Sequence, residues 1–215
     1  MIIVTKSLRD LARPLILVSA LLLFGGCADT SNEQNRRATS PKIALIMKSL
    51  ANEFFVNMQR SAEAHQAAQP EVYTLVANGI KNESDLAQQV ALVDQMIALG
   101  IDAIVIAPAD SRALVPALVR AVQAGIQVVN IDNRLATEVL AEYDVQIPYI
   151  GPSNREGARL VAEYVLAKHE PASEVFILEG IPTAANAKQR KAGFEEAIAT
   201  AGMTLVDSQS AAWDQ

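Results

Sequence analysis

From Lys42 onward, short β-rich runs alternate with longer helical ones, and this alternation constrains the fold more than any other feature of the chain. Ile43–Met47 precedes a helical stretch from Asn52 to about Ala68, and Val72–Ala77 precedes Ser84–Leu99, where Leu86, Val90, Val93 and Ile97 keep helical spacing before Gly100. Ala103–Ala107 leads, through Asp110 or Ser111 as a cap, into a helix carrying Leu114, Leu118, Val119 and Val122 that Gly125 closes; Gln127–Ile131 is a fourth strand. Strands recurring every ~30 residues with a helix between them lie parallel, joined by right-handed crossovers. The near-continuous apolarity of Ala103–Ala107 suits a sheet covered on both faces.

The pattern lapses between Arg134 and Gln146, and Ile147–Pro152 is a short extended piece holding two prolines. The crossing between two lobes is placed here, giving a first lobe over residues 42–151 and a second from 152 to 215. The second lobe reads as a helix over Ser153–Lys168, a strand at Val175–Leu178, a helix over Ala185–Ala201 ended by Gly202, and a strand at Thr204–Val206. Two helices and two strands bury little apolar surface on their own. The second lobe is therefore expected to be incomplete, and the chain to be truncated within it.

At the other end, Lys6, Arg9 and Arg13 precede an apolar run from Leu15 to Phe24 that closes in Gly25-Gly26-Cys27. Residues 1–26 read as a secretory leader, since the run is about half the ~20 residues that span a bilayer. Small residues before the only Cys resemble a bacterial lipobox, in which the thiol is lipidated and anchors the mature protein to the membrane; Phe24 stands where Leu is usual, and the alternative is a free Cys27 after an ordinary signal peptide. Residues 27–41 are polar, without an apolar period, and read as a flexible tether. A single Cys excludes an intramolecular disulfide and a cysteine-based zinc or redox site. The balance of 18 basic against 24 acidic residues, net −6, argues against nucleic acid as a partner.

In open parallel sheets, ligands bind beyond the carboxyl ends of the strands, so the loops there form the candidate site. They contain Lys48-Ser49-Leu50-Ala51-Asn52-Glu53-Phe54-Phe55, Pro108-Ala109-Asp110-Ser111, Asp132-Asn133-Arg134, and the segment from Glu179 to Arg190. Aromatic rings can stack on the apolar face of a sugar, while carboxylate, guanidinium and carboxamide groups pair with its hydroxyls. Each residue also has a plainer role. One of Phe54 and Phe55 is expected in the core, both less so, because adjacent helical positions point about 100° apart. Asp132 can serve a turn, Arg190 can belong to a solvated Lys188–Lys191 charge run, and Trp213 can simply pack. His65 and His169 have no partners at metal-ligand spacing, and no metal or cofactor is expected.

Ala51-Asn52-Glu53-Phe54-Phe55, Ala107-Pro108-Ala109-Asp110-Ser111, Val129-Asn130-Ile131-Asp132 and Glu179-Gly180-Ile181 leading to Gln189-Arg190-Lys191-Ala192-Gly193-Phe194 carry a resemblance. With them, residues 42–215 resemble the ribose-type periplasmic sugar-binding proteins, which share their fold with the effector domains of the lac repressor family. The resemblance implies an α/β protein of two lobes, with Rossmann-like parallel sheets flanked by helices and a ligand pocket between the lobes. It places Asn52, Phe54, Phe55 and Asp132 on the first lobe and Arg190 and Trp213 on the second. Ribose binders have Asn where this chain has Ala107, and Arg where it has Asn133. Asn133, Arg134 and Asn186 could then re-create a polar network for a different sugar, a polyol or a cyclitol.

The implied function is capture of a sugar or polyol on the periplasmic side of a bacterial envelope, or at the cell surface of a single-membrane bacterium, for an ABC-type permease. The alternative is a sensor whose closed form is read by a membrane receptor or kinase. An enzyme is not expected, since the chain has no Gly-x-Gly-x-x-Gly after a strand, no Walker loop and no Ser or Cys nucleophile paired by motif with a His. Neither is a repressor, since a leader stands where a helix-turn-helix would be needed.

Overall fold

The computed structural model describes residues 40–213, so the expected leader, Cys27 and nearly all of the tether lie outside it. The first lobe runs β1 (Lys42–Met47), α1 (Glu53–Ala68), β2 (Thr74–Gly79), α2 (Leu86–Ala98), β3 (Ala103–Ile106), α3 (Val115–Gln123), β4 (Gln127–Ile131), α4 (Thr137–Glu142) and β5 (Tyr149–Ile150). The second continues with α5 (Asn154–Leu166), β6 (Glu174–Glu179), α6 (Ala185–Thr200) and β7 (Thr204–Ser210). The first five strands form one parallel sheet in the order β2-β1-β3-β4-β5, with Ile43 of β1 opposite Leu75 on one side and Ala103 on the other.

Helices cover both faces of this sheet, which is why its strands read as apolar without alternation. Ala44, Ile46, Ile104 and Ile106 pack on one face against Val93, Met96 and Leu118, while Leu45 and Met47 pack on the other against Phe55 and Ala107. Asn52, Asp85 and Ser153 cap α1, α2 and α5, each side-chain oxygen accepting an N–H of the first turn. Gly100 and Gly125 follow α2 and α3 with φ of +63° and +84°, the left-handed turn that glycine makes at least cost.

Three elements differ from the sequence expectation. Helix α4 occupies the stretch where the pattern lapses; with six residues it is too short to display a period, yet it buries Val139 and Leu140. Strand β2 lies two residues further along than expected. Strand β7 extends past its apolar start as far as Ser210, since ladder pairing with β6 needs backbone only and the Ser208 and Ser210 hydroxyls donate to the Glu179 carboxylate and the Gly180 carbonyl.

Among the described residues the second sheet is the parallel pair β6-β7, with α5 and α6 packed together over Ile177, Ala162, Leu166, Ala197 and Ile198. The two helices meet at Gly193, where a Cβ would lie 2.2 Å from the carbonyl oxygen of Arg155. No helix of the described residues is long and apolar enough to cross a membrane.

Candidate functional site

Strand order reverses at β1, with β2 on one side and β3 on the other, so the loops leaving β1 and β3 diverge and open a crevice beyond the strand ends. The β1 loop begins with Lys48, whose side chain is 2% exposed. A buried ammonium must be paired. Lys48 Nζ lies 3.1 Å from Glu83 Oε2 and 3.3 Å from Asp132 Oδ2, over the Trp213 ring at 4.5 Å and near that of Phe55 at 5.5 Å. Glu83 comes from the polar loop between β2 and α2.

Asp132 follows β4 with φ at +57°, a left-handed conformation costly for a residue with a Cβ unless its surroundings impose it. They do so here. Asn130 Nδ2 donates to the Ile131 and Asn133 carbonyls and its Oδ1 accepts from Leu135 N, while the Tyr149 hydroxyl donates to the Asp132 carbonyl at 3.0 Å. Burial, and after it the charge of Asp132, push the Tyr149 phenol above its ordinary value, so it stays a donor. Asn186 Nδ2 donates to Asp132 Oδ2 at 3.4 Å. Asp132 Oδ1 accepts no hydrogen bond among the described residues.

Lys48, Glu83 and Asp132 line a cavity of about 390 Å³ together with Asn52, Phe54, Phe55, Asn186, Arg190 and Trp213. Phe55 is buried in the core and Phe54 is 57% exposed, their rings meeting edge-on at 5.0 Å, and both line the cavity. Arg190 is held by its Nε donating to Asn154 Oδ1 at 2.8 Å. Trp213 lies against Gly180, where a Cβ would come within 2.1 Å of the indole. A larger space of about 730 Å³ shares Asn52, Glu83 and Trp213 with the first. The smaller one is the better candidate, since Lys48, Asp132, Asn186 and Arg190 line it alone.

Of the residues singled out from sequence, Asn52, Phe54, Phe55, Asp132, Arg190 and Trp213 come together here and Asn133 does not. Asn133 is fully buried, and its carboxamide is occupied: Nδ2 donates to the Pro108 carbonyl, while Oδ1 accepts from Ser111 Oγ and Asn186 N. Arg134 stacks on the Tyr149 ring at 4.3 Å and does not line the cavity. Lys48 stands in a candidate loop without being assigned a role from sequence, and Glu83 lies outside the candidate loops. A lysine directly after the apolar run of β1 was a usable signal, because a charge at a buried strand end needs a partner; Glu83, in Lys81-Asn82-Glu83-Ser84-Asp85, looked like any polar turn.

Residues 43–215 match the periplasmic binding protein domain. The chain belongs to that family. The D-ribose/D-allose-binding protein of Pseudomonas aeruginosa is 52% identical over 174 residues, 81% of this chain and 54% of that protein. Among solved structures, an ABC transporter solute-binding protein from Burkholderia multivorans shares 50% identity and a TM-score of 0.80, covering 81% of this chain and 62% of that one. Another from Actinobacillus succinogenes, with bound D-allose, shares 36% identity and a TM-score of 0.74 over 81% and 60%. The chain thus spans about half the length of the first of these periplasmic binding proteins.

Proposed function

We propose that this chain captures a sugar or polyol on the periplasmic side of the envelope for an ABC-type importer, held to the membrane by a lipid on Cys27. The observation that carries the proposal is the meeting of aromatic side chains and polar groups in one cavity that draws Lys48, Phe54 and Asp132 from the first lobe and Asn186, Arg190 and Trp213 from the second. Asp132 Oδ1 accepts ligand hydroxyls, the Arg190 guanidinium and the Lys48 ammonium donate to ligand oxygens, and Phe54 and Trp213 cover the C–H face. The lobes, residues 42–151 and 152–215, close on a ligand that bridges them, because only the closed state satisfies both sets of groups. Asn133 joins the lobes and does not touch the ligand. The P. aeruginosa relative makes D-ribose and D-allose the first candidates.

Trp213 is the only tryptophan of the chain, so its fluorescence reports on the cavity. Titration of the full chain with D-ribose, D-allose and myo-inositol is expected to give a saturable change with a micromolar dissociation constant for at least one of them. No saturable change with any sugar or polyol of a broad panel would overturn the proposal.

A further inference from the structure

Glu83 belongs to no motif of the sequence, yet its carboxylate is nearly as enclosed as the ammonium it faces, at 11% exposed against 2% for Lys48. Its Oε2 is shut off from solvent and makes no hydrogen bond among the described residues, so the ion pair with Lys48 at 3.1 Å is what engages it. Lys48 is thereby shared between two carboxylates. The charged groups lining the cavity are Lys48 and Arg190 against Glu83 and Asp132, an even balance of two cations and two anions.

We propose that Glu83 is a positioning and specificity-determining residue: by drawing Lys48 to one side it keeps Asp132 open to ligand hydroxyls, and by cancelling one of the two cationic charges it selects neutral polyhydroxy ligands over sugar acids. The inference rests on the sugar-capture reading above and adds the charge class of the ligand. Without the Glu83 charge, Lys48 pairs fully with Asp132, which then accepts poorly from a hydroxyl, and Arg190 is left as an uncompensated cation that suits a carboxylate.

The test is Glu83→Gln in the full chain, titrated with D-allose, D-ribose and D-ribonate beside the unmodified protein. Binding of the neutral sugars is expected to weaken about tenfold and that of D-ribonate to strengthen about tenfold, with Glu83→Asp restoring the original preference. A purely structural role would weaken all three together, and parallel changes, or none, would overturn the inference while leaving sugar capture intact. If the unmodified chain binds no neutral sugar but Glu83→Gln gains D-ribonate, the sugar-capture reading falls and the charge role of Glu83 stands. If neither occurs, both fall.

Discussion

Gly193→Ala sets two effects of opposite sign against each other. Gly193 lies inside α6, where alanine is favoured over glycine by about 1 kcal/mol in an unobstructed helix. Here the added methyl would sit 2.2 Å from the Arg155 carbonyl oxygen, 2.9 Å from Arg159 N and 3.1 Å from Ala158 Cβ, whereas ordinary contact begins near 3.4 Å. The two closest atoms are backbone, which no rotamer change can move, so α5 must retreat by about 1 Å. Overpacking of this kind costs about 1–3 kcal/mol, and rigid opposing backbone places it at the upper end. Set against the propensity gain, a net loss of about 2 kcal/mol is expected, a fall of about 1 M in the urea midpoint at a slope of ~2 kcal/mol/M. Arg190 stands one turn earlier, so the same retreat strains its hydrogen bond to Asn154 on α5, and sugar affinity should fall with stability. Urea denaturation followed by circular dichroism gives the first quantity and Trp213 fluorescence the second. A variant more stable than the parent would refute the close approach of α5 and α6.

Asp132→Ala leaves Lys48 and Asn186 with a lost acceptor and should weaken the best sugar by at least ~2 kcal/mol, close to 30-fold by calorimetry; a change below twofold would remove Asp132 from the site. Asp110 accepts from Arg112 N and Ala113 N. Burial pushes its carboxyl up, but the bonds from Ala113 N and Arg112 N, with the Thr183 side chain and the charge of Lys188, together outweigh burial and hold it below the ordinary 3.8. Its contribution is therefore present above that value and lost as pH falls through the lowered one, so Asp110→Ala should cost about 1 kcal/mol at pH 7 and progressively less as the medium is acidified below about pH 4, and a penalty unchanged at pH 2 would contradict this. Asn133→Ala should cost about 2–3 kcal/mol in thermal or urea unfolding, since the Pro108 carbonyl and the Asn186 N–H lose their partner in a buried place; a loss under 0.5 kcal/mol would show that the lobes do not depend on it. Cys27→Ser should abolish fatty-acid labelling in cells and release the protein from the membrane, and persistent labelling would exclude Cys27 as the anchor.

Much of this fold was legible because burial on both sides of a parallel sheet writes itself into strands such as Ala103–Ile106 as unbroken apolar runs, and because Gly100 and Gly125 mark helix ends by their backbone geometry. Helix α4 was not, since two buried side chains, Val139 and Leu140, do not make a period. At the site, residues with chemistry suited to sugars stood out at strand ends. The two misreadings had one origin: polar partnership across loops, by hydrogen bond or by ion pair, is not encoded in spacing. Asn133 carries a side chain suited to a ligand, but Ser111, Pro108 and Asn186 occupy it; Glu83 resembles a solvated turn, but Lys48 draws it in.

Helix α6 begins at Ala185 after Ala184, which has no side chain to cap it. Its opening N–H groups find their acceptors in the other lobe, Ala185 N donating to Ser111 Oγ at 2.9 Å and Asn186 N to Asn133 Oδ1 at 3.2 Å, across 74 and 53 residues of chain. A helix start left without acceptors is unfavourable, so α6 gains its full stability only against a finished first sheet. The first lobe, whose sheet is closed by strands that all precede α6 in the chain, can complete without it, whereas α6 cannot complete without the first lobe. Chain order thus puts the template ahead of the piece that needs it.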